Sequence, residues 1–145
     1  MLFKKIVAAY DGSKAGNKAL DKAIDLCKMT PGATLEVLHV YDFPRFYVAD
    51  GFAPVPTSVN QDFYELAQRT VDEASHRLKL AGLNDAKVEL AQGQPAEMIL
   101  EYVKEHGNDL IVIGSRGLGG IREFVLGSVS HNVVQHAHIP VLVVK

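Results

Sequence analysis

Cysteine is almost missing: one residue, Cys27, stands in a chain of 145. A single thiol excludes an intrachain disulfide, a multi-cysteine zinc site and a CxxC redox pair. A reduced, cytoplasmic home is the expectation that follows. An excess of either charge is missing too, since 15 basic residues face 17 acidic ones for a net charge of -2. So even a balance gives no general field for DNA or RNA, and no nucleic-acid partner is expected. Apolar runs are short. None approaches the roughly 20 residues of a membrane span, and the run after Lys4 and Lys5 is too brief for the core of a signal peptide. Two nucleotide signatures are also lacking. G-x-x-x-x-G-K-[ST] occurs nowhere, and the first strand is followed by Asp11-Gly12-Ser13 rather than spaced glycines. Ordinary P-loop NTPase chemistry and nicotinamide binding lose their usual motifs.

What is present reads as one globular domain, residues 1–145, with 48% hydrophobic and 22% charged residues. Lys4 to Tyr10 is a short apolar run, as in a strand buried on both faces. Asp11-Gly12-Ser13 supplies a turn and a helix N-cap. A helix is predicted over Ser13 to Met29, with Ala15, Ala19, Ala23, Leu26 and Cys27 at helical spacing and Thr30-Pro31-Gly32 as its stop. Thr34 to Tyr41 is the second strand. Residues 42–58 carry Pro44, Pro54 and Pro56 and four aromatics, and read as a long excursion loop. Gln61 to Ala81 predicts an amphipathic helix with Phe63, Leu66, Ala67, Val71, Ala74 and Leu78 on one side. Glu65/Arg69 and Glu73/Arg77 form i,i+4 pairs on the other. Ala86 to Gln92 alternates, as a strand near an edge does. A helix follows over Ala96 to Glu105, with Met98, Ile99, Tyr102 and Val103 inward. Leu110 to Ile113 is the most apolar run and is expected centrally in the sheet. A glycine-rich loop spans Gly114 to Gly127, then a helix from Ser128 to His136 and a last strand, Val141 to Lys145. Strictly alternating elements imply a parallel sheet with helices on both faces.

In open α/β sheets ligands bind beyond the C-terminal strand ends, where strand order reverses. Strand one ends in Asp11-Gly12-Ser13 and strand four in Gly114-Ser115-Arg116-Gly117-Leu118-Gly119-Gly120. Glycines let backbone N–H groups approach a phosphate, and Gly127-Ser128-Val129-Ser130 opens a helix N-terminus, a second anion site. The competing account is that these glycines only shape a tight loop. For Asp11 it is helix capping, and for Ser13 capping is the favoured role. Arg116 and Arg122 are either phosphate donors or solvated loop residues.

The spacing Gly114-x2-Gly117-x9-Gly127-Ser128, the Asp11-Gly12-Ser13 strand end and the closing His138-Ile139-Pro140-Val141-Leu142-Val143-Val144 resemble the universal stress protein family of the nucleotide-binding kind. The resemblance runs the length of the chain. It implies an open five-stranded parallel sheet in the order 3-2-1-4-5, with helices on both faces, as in adenine nucleotide alpha hydrolase-like proteins. It implies a homodimer, and ATP with Mg²⁺ beyond strands one and four. Ala9 and Val40 would flank the adenine, Val40 through its backbone. Asp11 would sit near the ribose or the phosphate-bound metal. Gly114, Arg116, Gly117, Gly127, Ser128, Val129 and Ser130 would hold ribose and phosphates. Tyr10 departs from the small apolar residue common before this aspartate.

The remaining features are given bland roles. His131, His136 and His138 lack metal-ligand spacing. His39 is a satisfied core or pocket-edge group, His76 and His106 are surface residues, and Cys27 is packing. Phe43, Phe46, Tyr47 and Phe52 form either a lid or a cover for the protein's own core. Val141 to Val144 is an apolar edge strand, suited to pairing across a two-fold axis. The resulting expectation is a dimeric, ATP-binding stress-response module or switch with little or slow turnover. No catalytic residue is assigned, because no arranged base or activated nucleophile is evident. The alternatives are a weak ATPase or autophosphorylating enzyme, with phosphate received by Ser128 or Ser130, and a non-nucleotide interaction protein.

Overall fold

The computed structural model describes residues 2–42, 46–48, 51–53, 57–117 and 126–145. In chain order the elements are β1 (Lys5–Ala9), α1 (Lys14–Met29), β2 (Thr34–Tyr41), β3 (Phe46–Val48), β4 (Gly51–Ala53), α2 (Thr57–Leu80), β5 (Lys87–Gln92), α3 (Pro95–His106), β6 (Leu110–Gly114), α4 (Ser128–His136) and β7 (Val141–Val144). Five of the strands form a parallel sheet in the order β5-β2-β1-β6-β7. Counted along the sheet's own strands, that is the expected 3-2-1-4-5.

Side-chain alternation divides the core between the two faces of this sheet. Ile6 and Ala8 of β1 and Tyr10 just beyond it pack with Leu20, Ala23 and Ile24 of α1 and Ala74 and Leu78 of α2. Val7 and Ala9 turn the other way, toward Ile99 and Val103 of α3 and Val133 of α4. Ile6, Val7 and Ala8 are all 0% exposed, as a strand covered on both faces requires. The buried side chains of β6 make it an interior strand, but β1 holds the sheet's centre. Hydrophobicity measures burial. It does not rank two buried strands.

Three sequence expectations change. Residues 42–58 are not one loop, because β3 and β4 pair antiparallel with Tyr47 opposite Phe52. Aromatic and β-branched residues favour strands, a preference the neighbouring prolines obscured. α2 also starts at Thr57 rather than Gln61; the Ser and Asn that open it equally suit caps and turns. Second, Leu66 is 58% exposed, and the buried stripe of α2 is Ala67, Ala74 and Leu78. Third, Glu73 and Arg77 each take a partner on another element. Arg77 pairs with Asp21 of α1 at 3.1 Å, and Glu73 Oε2 accepts from the Tyr10 hydroxyl at 3.3 Å. Tertiary partners displaced the local i,i+4 pair.

Candidate functional site

β1 and β6 are neighbours, with Ala9 level with Ile113. From β1 the chain builds the sheet outward through β2 to β5, and from β6 it builds the opposite wing through β7. Such a reversal leaves a crevice at the C-terminal strand ends. A cavity of about 800 Å³ lies there. Its floor is apolar: Ala9, Leu38, Val40 and Ile113 from the strands, with Pro95 and Ile99 of α3 above them. Its rim is polar or bare backbone, formed by Asp11, Gly114, Arg116, Gly117 and the start of α4. Ala9, Asp11, Val40, Gly114, Arg116, Gly117, Gly127, Ser128, Val129 and Ser130 all line this one cavity.

Tyr10 does not narrow the floor. Its side chain belongs to the core on the α1 and α2 side, 2% exposed, one residue out of phase with Ala9. Burial first, and the Glu73 carboxylate second, push its phenol above the usual tyrosine range.

The Asp11 turn resolves the capping question. Ser13 is the N-cap of α1, its Oγ accepting from the Gly16 amide at 3.0 Å. Asp11 instead steadies that cap, since its Oδ1 accepts from the Ser13 amide at 2.9 Å and the Ser13 hydroxyl at 2.5 Å. Oδ2 has no such partner among the described residues, and a Cβ on Gly117 would stand 3.0 Å from it. Gly16 is needed beneath: a Cβ there would come within 2.5 Å of Asp11 Oδ1. Gly12, at φ +79°, makes the turn in the left-handed region that glycine alone adopts freely.

The glycines of the loop have separate reasons to be glycine. A Cβ on Gly114 would lie 2.7 Å from the backbone carbon of Ala15, so α1 can cross β6 closely only if that position is bare. Gly127 is bonded back to the loop's start, its amide donating to Ser115 O at 2.6 Å. α4 begins there with no side chain capping it, unlike α1 and α3, which Ser13 and Gln94 cap. The first-turn amides, Ser128 to Ser130, therefore open toward the cavity without a side-chain acceptor. Ser130 departs from the expectation for its hydroxyl. It is 2% exposed, and its Oγ is directed to Ser115 O at 2.9 Å and Gly127 O at 3.2 Å. The hydroxyl ties the loop to α4, and Ser130 still lines the rim. Arg116 is exposed at the mouth.

Val40 offers main-chain groups. Tyr10 N–H donates to Leu38 O on the β1 side, and Gly93 N–H to Tyr41 O on the β5 side. Successive residues of a strand face alternate neighbours, so the N–H and C=O of Val40 point toward β1. The pairing of β1 with β2 has already ended, at Ala9 opposite Leu38. One donor and one acceptor thus border the apolar floor.

His39 is buried, and its Nδ1–H donates to Tyr10 O at 2.8 Å. Burial lowers its pKa from the ordinary value, opposed by the Tyr10 carbonyl and by Asp11. His106 is not a free surface residue, because it stacks on Tyr102 with ring centroids 3.8 Å apart. Cys27 packs as expected, with burial pushing its thiol up. Among the described residues no three His, Cys, Asp or Glu groups gather as a metal site, and no helix is long and apolar enough to cross a membrane. Arg122 and the side chains of Phe43, Phe46, Tyr47 and Phe52 lie outside the described residues.

Sequence reasoning missed Gly16, Leu38, Pro95, Ile99, Ile113, Leu126, His131 and Asn132 of the lining. Ile113 carried a usable signal, standing just before Gly114. Pro95 and Ile99 carried none, because α3 reaches the cavity only through the packing of α3 against α4 and β2.

The profile of the Universal stress protein family matches residues 2–145. Universal stress protein YxiE of Bacillus subtilis is 37% identical over 158 residues, covering 99% of this chain and all of that protein. Among solved structures, universal stress protein UspA from Lactobacillus plantarum superposes with a TM-score of 0.87 at 24% identity, covering 100% of this chain and 99% of that one, a likeness of fold. A universal stress protein solved in complex with cAMP is 27% identical with a TM-score of 0.75, covering 100% of this chain and 99% of that one. On the match along the chain and the shared fold, the protein belongs to the universal stress protein family.

Proposed function

We propose that this chain is an adenine-nucleotide-binding module that takes ATP with Mg²⁺ and acts as a cytoplasmic, homodimeric stress-response switch with little or slow turnover. The observation that carries the reading is the pairing, in one cavity, of an apolar floor edged by the Val40 backbone with the uncapped N-terminus of α4. A purine is flat and apolar on its faces and carries a neighbouring donor and acceptor on its edge. An adenine edge is complementary to one N–H and one C=O. A phosphate chain suits free helix amides and the positive end of the helix dipole, with Arg116 as a charge-assisted donor at the mouth. The relative solved with cAMP, a nucleotide of the same base, supports the choice of adenine.

The donor set fits Mg²⁺ only as part of the nucleotide complex. Octahedral Mg²⁺ prefers phosphate oxygens and water with one or two carboxylates. Among the described residues the cavity offers it one carboxylate, Asp11, with Oδ1 already engaged by Ser13. When bound, the ion would neutralise phosphate charge alongside Arg116.

β7 supports the dimer. It is an edge strand, with Leu142 38% exposed. An apolar edge invites pairing with a second copy.

The test is mass spectrometry of small molecules released by denaturing the purified protein, followed by calorimetric titration with Mg-ATP. Co-purified or micromolar ATP supports the reading. Absence of nucleotide, together with no heat from ATP, ADP or AMP, overturns it in favour of an interaction protein.

A further inference from the structure

Tyr10 is the residue of the cavity's edge whose side chain does nothing inside the cavity, yet all of its hydrogen-bonding groups are engaged. Its N–H donates to Leu38 O at 2.9 Å. Its carbonyl accepts from His39 Nδ1 at 2.8 Å. Its hydroxyl lies 2.7 Å from Asn17 Oδ1 of α1 and 3.3 Å from Glu73 Oε2 of α2. β2, α1 and α2 therefore all hold the residue that precedes Asp11. The same Glu73 stands behind the next residue but one, since a Cβ on Gly12 would meet Glu73 Oε2 and Thr70 Cγ2 at 3.6 Å. The strand end and the turn are thus backed from α2 on both sides of Asp11.

We propose that Tyr10 is a positioning residue of the nucleotide site, acting through Asp11. It fixes the Tyr10–Asp11 peptide from the far face of the sheet, so that Oδ1 stays on the Ser13 cap and Oδ2 stays directed toward Gly117. A phenylalanine would fill the same buried space and keep both backbone bonds. It would lose the hydroxyl's tie to Asn17 and Glu73 and its interaction with Arg77. This proposal rests on the nucleotide reading for its consequence on affinity, but not for the positioning itself.

The experiment uses Tyr10→Phe, Asn17→Ala, Asp11→Asn and the Tyr10→Phe/Asp11→Asn double variant, each first checked for native circular dichroism. Amide hydrogen exchange of Ser13, read by NMR without nucleotide, reports the Asp11 turn directly. Exchange is expected to quicken about fivefold in Tyr10→Phe and in Asn17→Ala, the size of one lost neutral hydrogen bond. Unchanged Ser13 exchange in both variants overturns the proposal, whatever the protein binds. Mg-ATP titration then separates the two readings. If the unaltered protein binds no nucleotide, the functional reading fails while the exchange result still decides the role of Tyr10. If it binds, Tyr10→Phe is expected to weaken ATP about fivefold, with no further loss when added to Asp11→Asn. Losses that multiply in the double variant place the effect of Tyr10 elsewhere and overturn action through Asp11.

Discussion

Gly114 and Ala15 meet backbone to backbone: a single carbon added to Gly114 would lie 2.7 Å from the carbonyl carbon of Ala15 and 2.9 Å from its oxygen. The first glycine of the loop motif is therefore a packing glycine as well as a cavity wall. Gly114→Ala forces α1 off β6. Overpacking of this kind costs about 1–3 kcal/mol, and urea unfolding of the variant is expected to show a loss in that range.

Gly117 has the opposite character. It is exposed, and a side chain there would run into Asp11 Oδ2 and the cavity rather than the core. Gly117→Val is expected to abolish ATP binding while the melting temperature and dimer remain as in the unaltered protein. Unchanged ATP affinity in calorimetry would remove the phosphate-cradle assignment.

Ser13 joins the helix cap to the Asp11 carboxylate through one hydroxyl. Ser13→Ala removes both bonds. Loss of such an N-cap costs about 1 kcal/mol, measurable by chemical unfolding. Ser13→Thr keeps the hydroxyl and should restore most of that stability.

His39 sets an acid-side dependence of stability. Its folded pKa lies below the ordinary 6.5, so between those values the unfolded chain binds more protons than the native one. Stability contributed by neutral His39 is full above about pH 6.5 and is lost as pH falls through the folded pKa. Unfolding free energy measured from pH 7 downward should fall less steeply in His39→Asn, whose amide can still donate to the Tyr10 carbonyl. Equal slopes in both proteins would contradict the assignment.

Leu142 lies on the edge strand with more than a third of its surface exposed. Leu142→Glu places a charge in the proposed two-fold contact. Sedimentation is expected to give monomers for the variant and dimers for the unaltered chain, with far-ultraviolet dichroism unchanged.

The sequence by itself determined the order of the five sheet strands and four helices, the parallel sheet and the two loops that meet, but not the β3–β4 hairpin. Apolar runs such as Ile6 to Ala9 and Leu110 to Ile113, separated by helix-period segments, leave little choice but a covered parallel sheet. Caps and turns are local as well, so Ser13 at the start of α1 was readable without neighbours. Glycine spacing located the rim of the cavity. Tertiary structure decided what depends on a partner far along the chain. Arg77 went to Asp21 rather than Glu73, because α1 lies beside α2 in space. The Ser130 hydroxyl turned inward because Ser115 O stands beneath it. Pro95 and Ile99 reached the apolar floor only through the placement of α3. Tyr10 departs from the small residue the resemblance implies, and the alternation of the strand placed its ring on the face away from the cavity floor. A sequence lists which groups a residue carries, whereas the packed fold fixes which of several competing partners comes within hydrogen-bonding reach.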